Sequence, residues 1–399
     1  MTRLVLVVAL VVAGLAACGS ATSNSREIAV DYRSDDFNGF YLAFYPRKVT
    51  VTPGMTLKFH QTWSGEPHTV SLGTSVNDAV RPFKRLVNEY YADPRSLENE
   101  PGSAFDGFTF AGRLPTFFDQ TDFKTIDQAA ALPCYVKNEG QLPHDLTPCA
   151  AKDRQQVPFT GRQAYYSSGF IPFEGTRGNT WEMKIAADAK PGTYFYYCNL
   201  HSIFMSGEIT IKKSATVESQ AAINRRGKAE ADLLTKPVRA AYRRELAGKG
   251  KFSGNLAGSG DDTTESTHAG ATEFTPHVIK TKVDQPVKWT FIGDHTISFN
   301  VPPYAPLFKF GSNGYLQSDR ALYDPKVWVG APRDRVLDND HPAPPVDVDA
   351  GTWDGTGGMR SSGAGWVDGD TYTVRFSRKG TYRYACLIHP GMLGSVEVS

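Results

Sequence analysis

The chain has 399 residues with 43 Lys and Arg against 42 Asp and Glu, a formal net charge of +1. That balance excludes nucleic-acid binding through bulk charge, and the length suffices for two or three domains, each with its own core. Thirty-seven glycines, 25 prolines and 12 % aromatic residues, with few long amphipathic helical stretches, point to an all-β protein rich in turns.

The first twenty residues, "MTRLVLVVALVVAGLAACGS", place one positive charge, Arg3, before an apolar run from Leu4 to about Gly14. This reads as a secretory signal, too short and wrongly flanked for a membrane-spanning helix. Its end, Leu15-Ala16-Ala17-Cys18, resembles the lipobox of bacterial lipoproteins. The resemblance implies that residues 1–17 are removed, that Cys18 is lipidated, and that the mature protein is tethered outside the cytoplasm at a bacterial membrane. Residues 18–26 read as the tether.

Strand signals begin near residue 44. Apolar and polar residues alternate in Val49-Thr50-Val51 and in Thr56-Leu57-Lys58-Phe59, followed by the step His68-Thr69-Val70. Alternation with a period of two marks half-buried strands. A long stretch, about 73–166, shows little regular pattern. It contains Cys134 and Cys149 among prolines 133, 143 and 148. In an oxidising compartment these two cysteines are expected to form a disulfide, closing a short loop and stabilising it by roughly 3 kcal/mol. A metal site using both thiols with His144 is the alternative. Ser167-Ser168-Gly169 comes next, then an alternating strand from Trp181 to Ile185, then "GTYFYYCNLHSIFM" (192–205) and a short closing strand from Glu208 to Ile211.

Residues 217–247 are rich in alanine, arginine and glutamate and read as helical, with Pro237 expected to break the helix. From Arg225 to Lys251 nine basic residues face three acids. A solvated face accounts for them, with an acidic partner or a lipid surface as the alternative. A Gly-rich stretch, 248–260, leads on.

The whole plan then repeats. "FTPHVIKTKVDQPVKWTFIGDHTISF" (274–299) ends on His295-Thr296-Ile297, as 44–72 does on His68-Thr69-Val70. A second irregular stretch, about 303–360, is followed by Ser361-Ser362-Gly363, an alternating strand Tyr372 to Phe376, "GTYRYACLIHPGM" (380–392), and a closing strand Ser395 to Val398. Two tandem β-sandwiches are the expected architecture: 27–213, a linker at 214–260, and 261–399.

Each copy supplies a thiol, two imidazoles and a thioether. Three come from one tight loop, Cys198, His201 and Met205 or Cys386, His389 and Met392, and a histidine, His68 or His295, comes from a neighbouring strand. Soft sulfur favours Cu(I), imidazole suits both copper oxidation states, and a weak axial thioether adjusts the potential. Both halves resemble the cupredoxins, the blue-copper proteins of plastocyanin and amicyanin type. The likeness covers about 44–72 and 181–211, then 274–299 and 371–399, and includes the Met-x-Gly that enters each last strand. It implies two Greek-key β-sandwiches, each with one type 1 copper, and hence electron transfer with a redox donor and acceptor. His201 and His389, on the loops, would be the ligands nearest the surface. One departure stands out: Thr69 and Thr296 occupy the position after the strand histidine, where plastocyanin-like proteins often carry Asn.

Two other functions find less support in the residues. Two-domain copper oxidases and nitrite reductases need further copper held by His-x-His pairs or by a His before the type 1 cysteine. Here Tyr197 and Ala385 precede the cysteines and no His-x-His occurs. Copper storage or delivery would call for Met-rich or His-rich tracts, whereas the six methionines are scattered. His60, His144, His268, His277 and His341 fall in no ligand-like context and are expected to be surface or structural residues.

Overall fold

The computed structural model describes residues 24–33, 37–62, 68–92, 114–115, 118–119, 122–137, 156–172, 177–259, 269–293, 295–302, 308–310, 316–318, 345–363, 366–389 and 391–399. Cys18 and Cys149 lie outside them. Cys134 is fully buried at the start of the short strand Cys134–Val136.

The first half is a sandwich of two sheets. One orders the strands Thr180–Lys184, Thr56–Gln61, Ser25–Val30 and Phe44–Tyr45. The other runs Lys48–Val51, Ser202–Ile211, Gly192–Cys198, Ser71–Leu72, Tyr165–Ser167 and Cys134–Val136. Alternation in Thr56–Gln61 puts Leu57, Phe59 and Gln61 inward. Phe59 pairs with Trp181 across the first sheet and meets Tyr196 of the second edge to face at 5.4 Å. The second half repeats the arrangement. Pro286–Phe291 buries Val287, Trp289 and Phe291, and Trp289 pairs with Tyr372 and meets Tyr384 at 5.4 Å. Such aromatic contacts fix how the two sheets of each sandwich sit together.

The glycine of each Met-x-Gly has a packing reason. A Cβ on Gly207 would stand 2.3 Å from the Tyr196 ring, and one on Gly394 would stand 2.4 Å from the Tyr384 ring. In both halves this tyrosine lies two residues before the cysteine, so the glycine lets the last strand pass over it and return beneath the metal loop.

The sequence expectation is corrected in several places: the stretch 73–166 holds the helices Thr74–Val80 and Lys84–Ala92, 303–360 holds the strand Asp347–Trp353, and the strand Ser25–Val30 begins within the residues read as the tether. Pro237 does not break the helix, which runs unbroken from Gln220 to Leu246 with Ser219 as its cap. Buried Leu234 and Thr235 before the proline and Val238, Ala241 and Tyr242 after it hold one face down on both sides, offsetting the lost hydrogen bond. Arg226 and Glu230 flank the buried face and bond to Lys48 O and Arg47 N, while the Lys228–Asp232 pair lies on the solvated face. Next, the stretch read as the end of the linker contains the strand Asn255–Ser259, inside the second sandwich and parallel to Pro286–Phe291. Finally, Gly39–Tyr41 leaves the first half and becomes the edge strand of the second, antiparallel to Ala269–Thr275.

Candidate metal centres

The two histidine strands are braced identically. In each half the Ser-Ser-Gly motif, repeated in sequence without an evident role, bends through a left-handed glycine, Gly169 (φ 58°) or Gly363 (φ 73°). The second serine hydroxyl then accepts the backbone N–H beyond the His-Thr step: Val70 N to Ser168 Oγ at 2.8 Å, and Ile297 N to Ser362 Oγ at 2.9 Å. The first serine meets Ser71 or Ser298 at 2.8 Å. These bonds fix the strand that carries His68 and His295.

His68, Cys198 and His201 converge in the first half, and His295, Cys386 and His389 in the second, with all donor atoms of a group within 4.8 Å of one another. In the first, His68 Nδ1 and His201 Nδ1 are 3.2 Å apart, and Cys198 Sγ is 3.9 and 3.6 Å from them. In the second the corresponding separations are 3.0, 3.9 and 3.7 Å. Ordinary bonds of about 2.0 Å to imidazole nitrogen and about 2.3 Å to thiolate let one ion reach all three donors, because every gap is shorter than the two bonds that would span it. Met205 and Met392 are fully buried in the same apolar clusters as Cys198 and Cys386. A His2Cys set is the core donor chemistry of a type 1 copper site, and the residues present fit it, with a buried Met in the same apolar cluster.

Electrostatics prepare the sulfur. Burial pushes the Cys198 thiol up, but the imidazoles of His201 and His68 outweigh it and hold it well below the ordinary thiol value. Cys386 is held low in the same way by His295 and His389. Each sulfur also accepts one backbone N–H, from Thr69 or Thr296, at 3.4 Å. The same threonines replace the expected asparagine. Thr69 Oγ1 accepts Asn199 N and Thr296 Oγ1 accepts Leu387 N, both at 2.8 Å, tying the histidine strand to the residue after each cysteine.

The two centres then diverge. Asn199 in the first is a hub, its amide reaching Pro115 O at 2.7 Å and the Tyr165 and Tyr197 hydroxyls at 3.0 Å, with its oxygen bonded to Thr69 and Ser71. Leu387 takes its place in the second. Behind the strand histidine the contrast is sharper. Fully buried Asp31 accepts His68 Nε2 at 3.0 Å. By strand register the equivalent residue of the second half is Gly258, since Val30 pairs with Gln61 as Ala257 pairs with Phe291. Both follow in left-handed conformation, φ 60° and 92°, but a Cβ on Gly258 would lie 2.5 Å from His295 Nε2. Burial pulls His68 down, yet Asp31 and Cys198 outweigh it and its pKa is raised, whereas burial prevails at His295 and its pKa is lowered.

Access differs as well. His201 is half-buried, but His389 is only 5 % exposed, scarcely more open than His295 at 3 %. Phe40, from the strand lent by the first half, stacks on the His389 ring with centroids 5.9 Å apart and planes 10° apart. His389 is thus still the more exposed histidine of its centre, but only marginally. Of the remaining histidines, His60 lies between Glu27 and Asn179, and His277 faces Glu273. His144, His268 and His341 are outside the described residues. Asp31, Asn199 and Phe40 were missed from sequence. The equivalence of Asp31 and Gly258 emerges only from the strand register.

No family model and no curated protein matches the chain. Among solved structures, reduced auracyanin from Roseiflexus castenholzii is 19 % identical, overlapping 48 % of this chain and 98 % of its own with a TM-score of 0.21. A reduced Cu(I) amicyanin variant is 15 % identical over 32 % of this chain and 74 % of its own, TM-score 0.18. Oxidised plastocyanin from Dryopteris crassirhizoma is 19 % identical over 33 % and 91 %, TM-score 0.17. These scores are low. The two β-sandwiches, each with its His-Cys-His cluster, stand on the strand order and donor geometry described above.

Proposed function

We propose that the protein is an electron carrier with two type 1 copper centres, one per sandwich. The observation that carries this reading is the twofold convergence of two Nδ1 atoms and a buried, acidified thiol, with a buried methionine in the same apolar cluster. Copper held there would cycle between Cu(I) and Cu(II), exchanging one electron. The protein's part is to hold the donors in one arrangement for both states, through the Ser-Ser-Gly brace, the threonine ties and the N–H to each sulfur. His68, Cys198, His201 and Met205 would hold one ion, and His295, Cys386, His389 and Met392 the other.

The chain would work outside the cytoplasm, tethered through Cys18 to a bacterial membrane and serving a redox donor and acceptor rather than a substrate. Tyr197 and Ala385 before the two cysteines, where a reductase or oxidase would carry histidine, support carrier over enzyme. Among the described residues no helix is long and apolar enough to cross a membrane. A Cys134–Cys149 bond belongs to the same extracytoplasmic reading and is checked by peptide mapping without reductant.

The test is quantitative EPR with metal analysis on the copper-loaded protein. Two coppers per chain, both with the small hyperfine splitting of a thiolate-bound centre, are expected. A third protein-bound copper, or a normal-splitting signal, would replace the carrier with an enzyme. Copper that exchanges freely with a weak chelator would favour delivery.

A further inference from the structure

Asp31 touches the first centre and Phe40 the second, and Tyr41 joins the two. At the end of Ser25–Val30 the left-handed turn at Asp31 is pinned by its N–H to Ala43 O at 2.9 Å and by Thr62 Oγ1 to its carbonyl at 2.7 Å. One carboxylate oxygen accepts His68 Nε2 at 3.0 Å; the other accepts the backbone N–H of Tyr41 at 2.9 Å. Tyr41 is bonded to Phe40, whose ring runs parallel to that of His389 with centroids 5.9 Å apart. Asp31 and Tyr41 are fully buried. The far end is equally fixed. Phe40 pairs with Gly270, where a Cβ would come within 3.1 Å of its ring, and neighbouring Asn38 takes Thr272 N at 2.7 Å and gives its own N–H to Glu273 at 2.6 Å.

We propose that Asp31 and the strand Gly39–Tyr41 form an electron bridge between the two centres, with Phe40 as the positioning residue that completes it at His389. The proposal rests on the carrier reading. The route from His68 to His389 consists of two hydrogen bonds, a short covalent run and one ring stack, all inside the protein. It also accounts for the closure of the second centre, since a ring covering His389 is an obstacle to an outside partner and a contact for an inside one. The negative charge of Asp31 stands behind His68, and Gly258 offers none behind His295, so oxidation is favoured at the first centre. One electron leaves the first centre, which is oxidised, and arrives at the second, which is reduced. No covalent bond forms or breaks, and the proton between His68 and Asp31 stays between them.

The experiment uses the full chain loaded with copper. A pulse of small reductant enters at half-buried His201, and redistribution between centres is followed by freeze-quench EPR. Redistribution is expected to be independent of protein concentration. It should slow by an order of magnitude or more in both Phe40→Leu and the second ring-free variant Phe40→Met, and keep its rate in Phe40→Tyr. NMR of the metal-free chain supplies a separate readout: His389 ring protons should lose a ring-current shift in Phe40→Leu and keep it in Phe40→Tyr. Fewer than two thiolate-type centres in the unaltered protein would overturn the carrier reading. Two such centres whose redistribution is untouched by the ring-free variants, or scales with protein concentration, would overturn the bridge alone.

Discussion

Replacing Asp31 by Asn removes one buried negative charge and leaves every metal donor in place. The 3.0 Å hydrogen bond to His68 Nε2, the imidazole ring and a metal–nitrogen bond of about 2.0 Å put the carboxylate about 7 Å from an ion held on Nδ1. Coulomb's law then gives about 2.4 kcal/mol at an effective dielectric constant of about 20 and about 0.6 kcal/mol at about 80. For a one-electron couple, where about 1.4 kcal/mol corresponds to about 59 mV, the first centre should rise by about 25 to 100 mV. The direction follows from the charge, because a carboxylate favours the more positive oxidised ion and its loss favours the reduced one. Asn has a single carboxamide oxygen for the three donors that Asp31 serves, His68 and the Tyr32 and Tyr41 amides. Stability should therefore fall by about 1–3 kcal/mol. Spectroelectrochemical titration of both centres in the same sample is the assay, with the second as internal reference. A first-centre potential that stays put or falls, or equal shifts at both, would refute the reasoning.

Met205→Leu and Met392→Leu should each raise the potential of their own centre without loss of copper, read by titration and metal analysis; lost copper or a lower potential contradicts this. Gly207→Ala forces a Cβ to 2.3 Å from the Tyr196 ring and 2.4 Å from Arg47 O, so denaturant unfolding should show a loss of about 1–3 kcal/mol. Glu208 is buried, which pushes its pKa up, but Lys48 at 3.1 Å and Lys84 at 3.3 Å outweigh this and hold it low. A carboxylate depressed in the folded state stabilises the fold above its unfolded pKa and loses that contribution as the pH falls through the folded one. Glu208→Gln should thus cost stability at neutral pH, with the gap to the parent closing as the pH drops below the ordinary glutamate range; a constant gap in acid unfolding curves would count against the ion pairs.

What the sequence disclosed was the part written in short repeats. His-Thr-aliphatic and Cys-x2-His are local patterns whose spacing is set by one loop or one strand, so the two His-Cys-His clusters could be read directly. Asp31 could not be read, because its place behind His68 depends on a parallel pairing between Ser25–Val30 and Thr56–Gln61 that no local pattern encodes. Phe40 was further out of reach, since its partner His389 belongs to the other sandwich. The threonine after each strand histidine looked like a departure only because residue type was compared. Its hydroxyl accepts the N–H that ties the loops, a role that geometry reveals and the letter T does not. Pro237 misled for the opposite reason, as a strong local preference gave way to packing on both sides of it.

The strand Gly39–Tyr41 also binds the order of synthesis to the order of assembly. It leaves the ribosome about 230 residues before Ala269–Thr275, the strand it must pair with, and so waits through the making of its own sandwich and the long helix. Contacts so distant along the chain form late. Until they form, Ala269–Thr275 is an open sheet edge, the kind of surface that pairs with other molecules, and the face of His389 that Phe40 later covers has no ring upon it. A fragment beginning after residue 250 would keep Asn255–Ser259 but hold that edge open permanently. The two sandwiches look like separable beads in sequence, yet the second is finished only by a strand made near the very start.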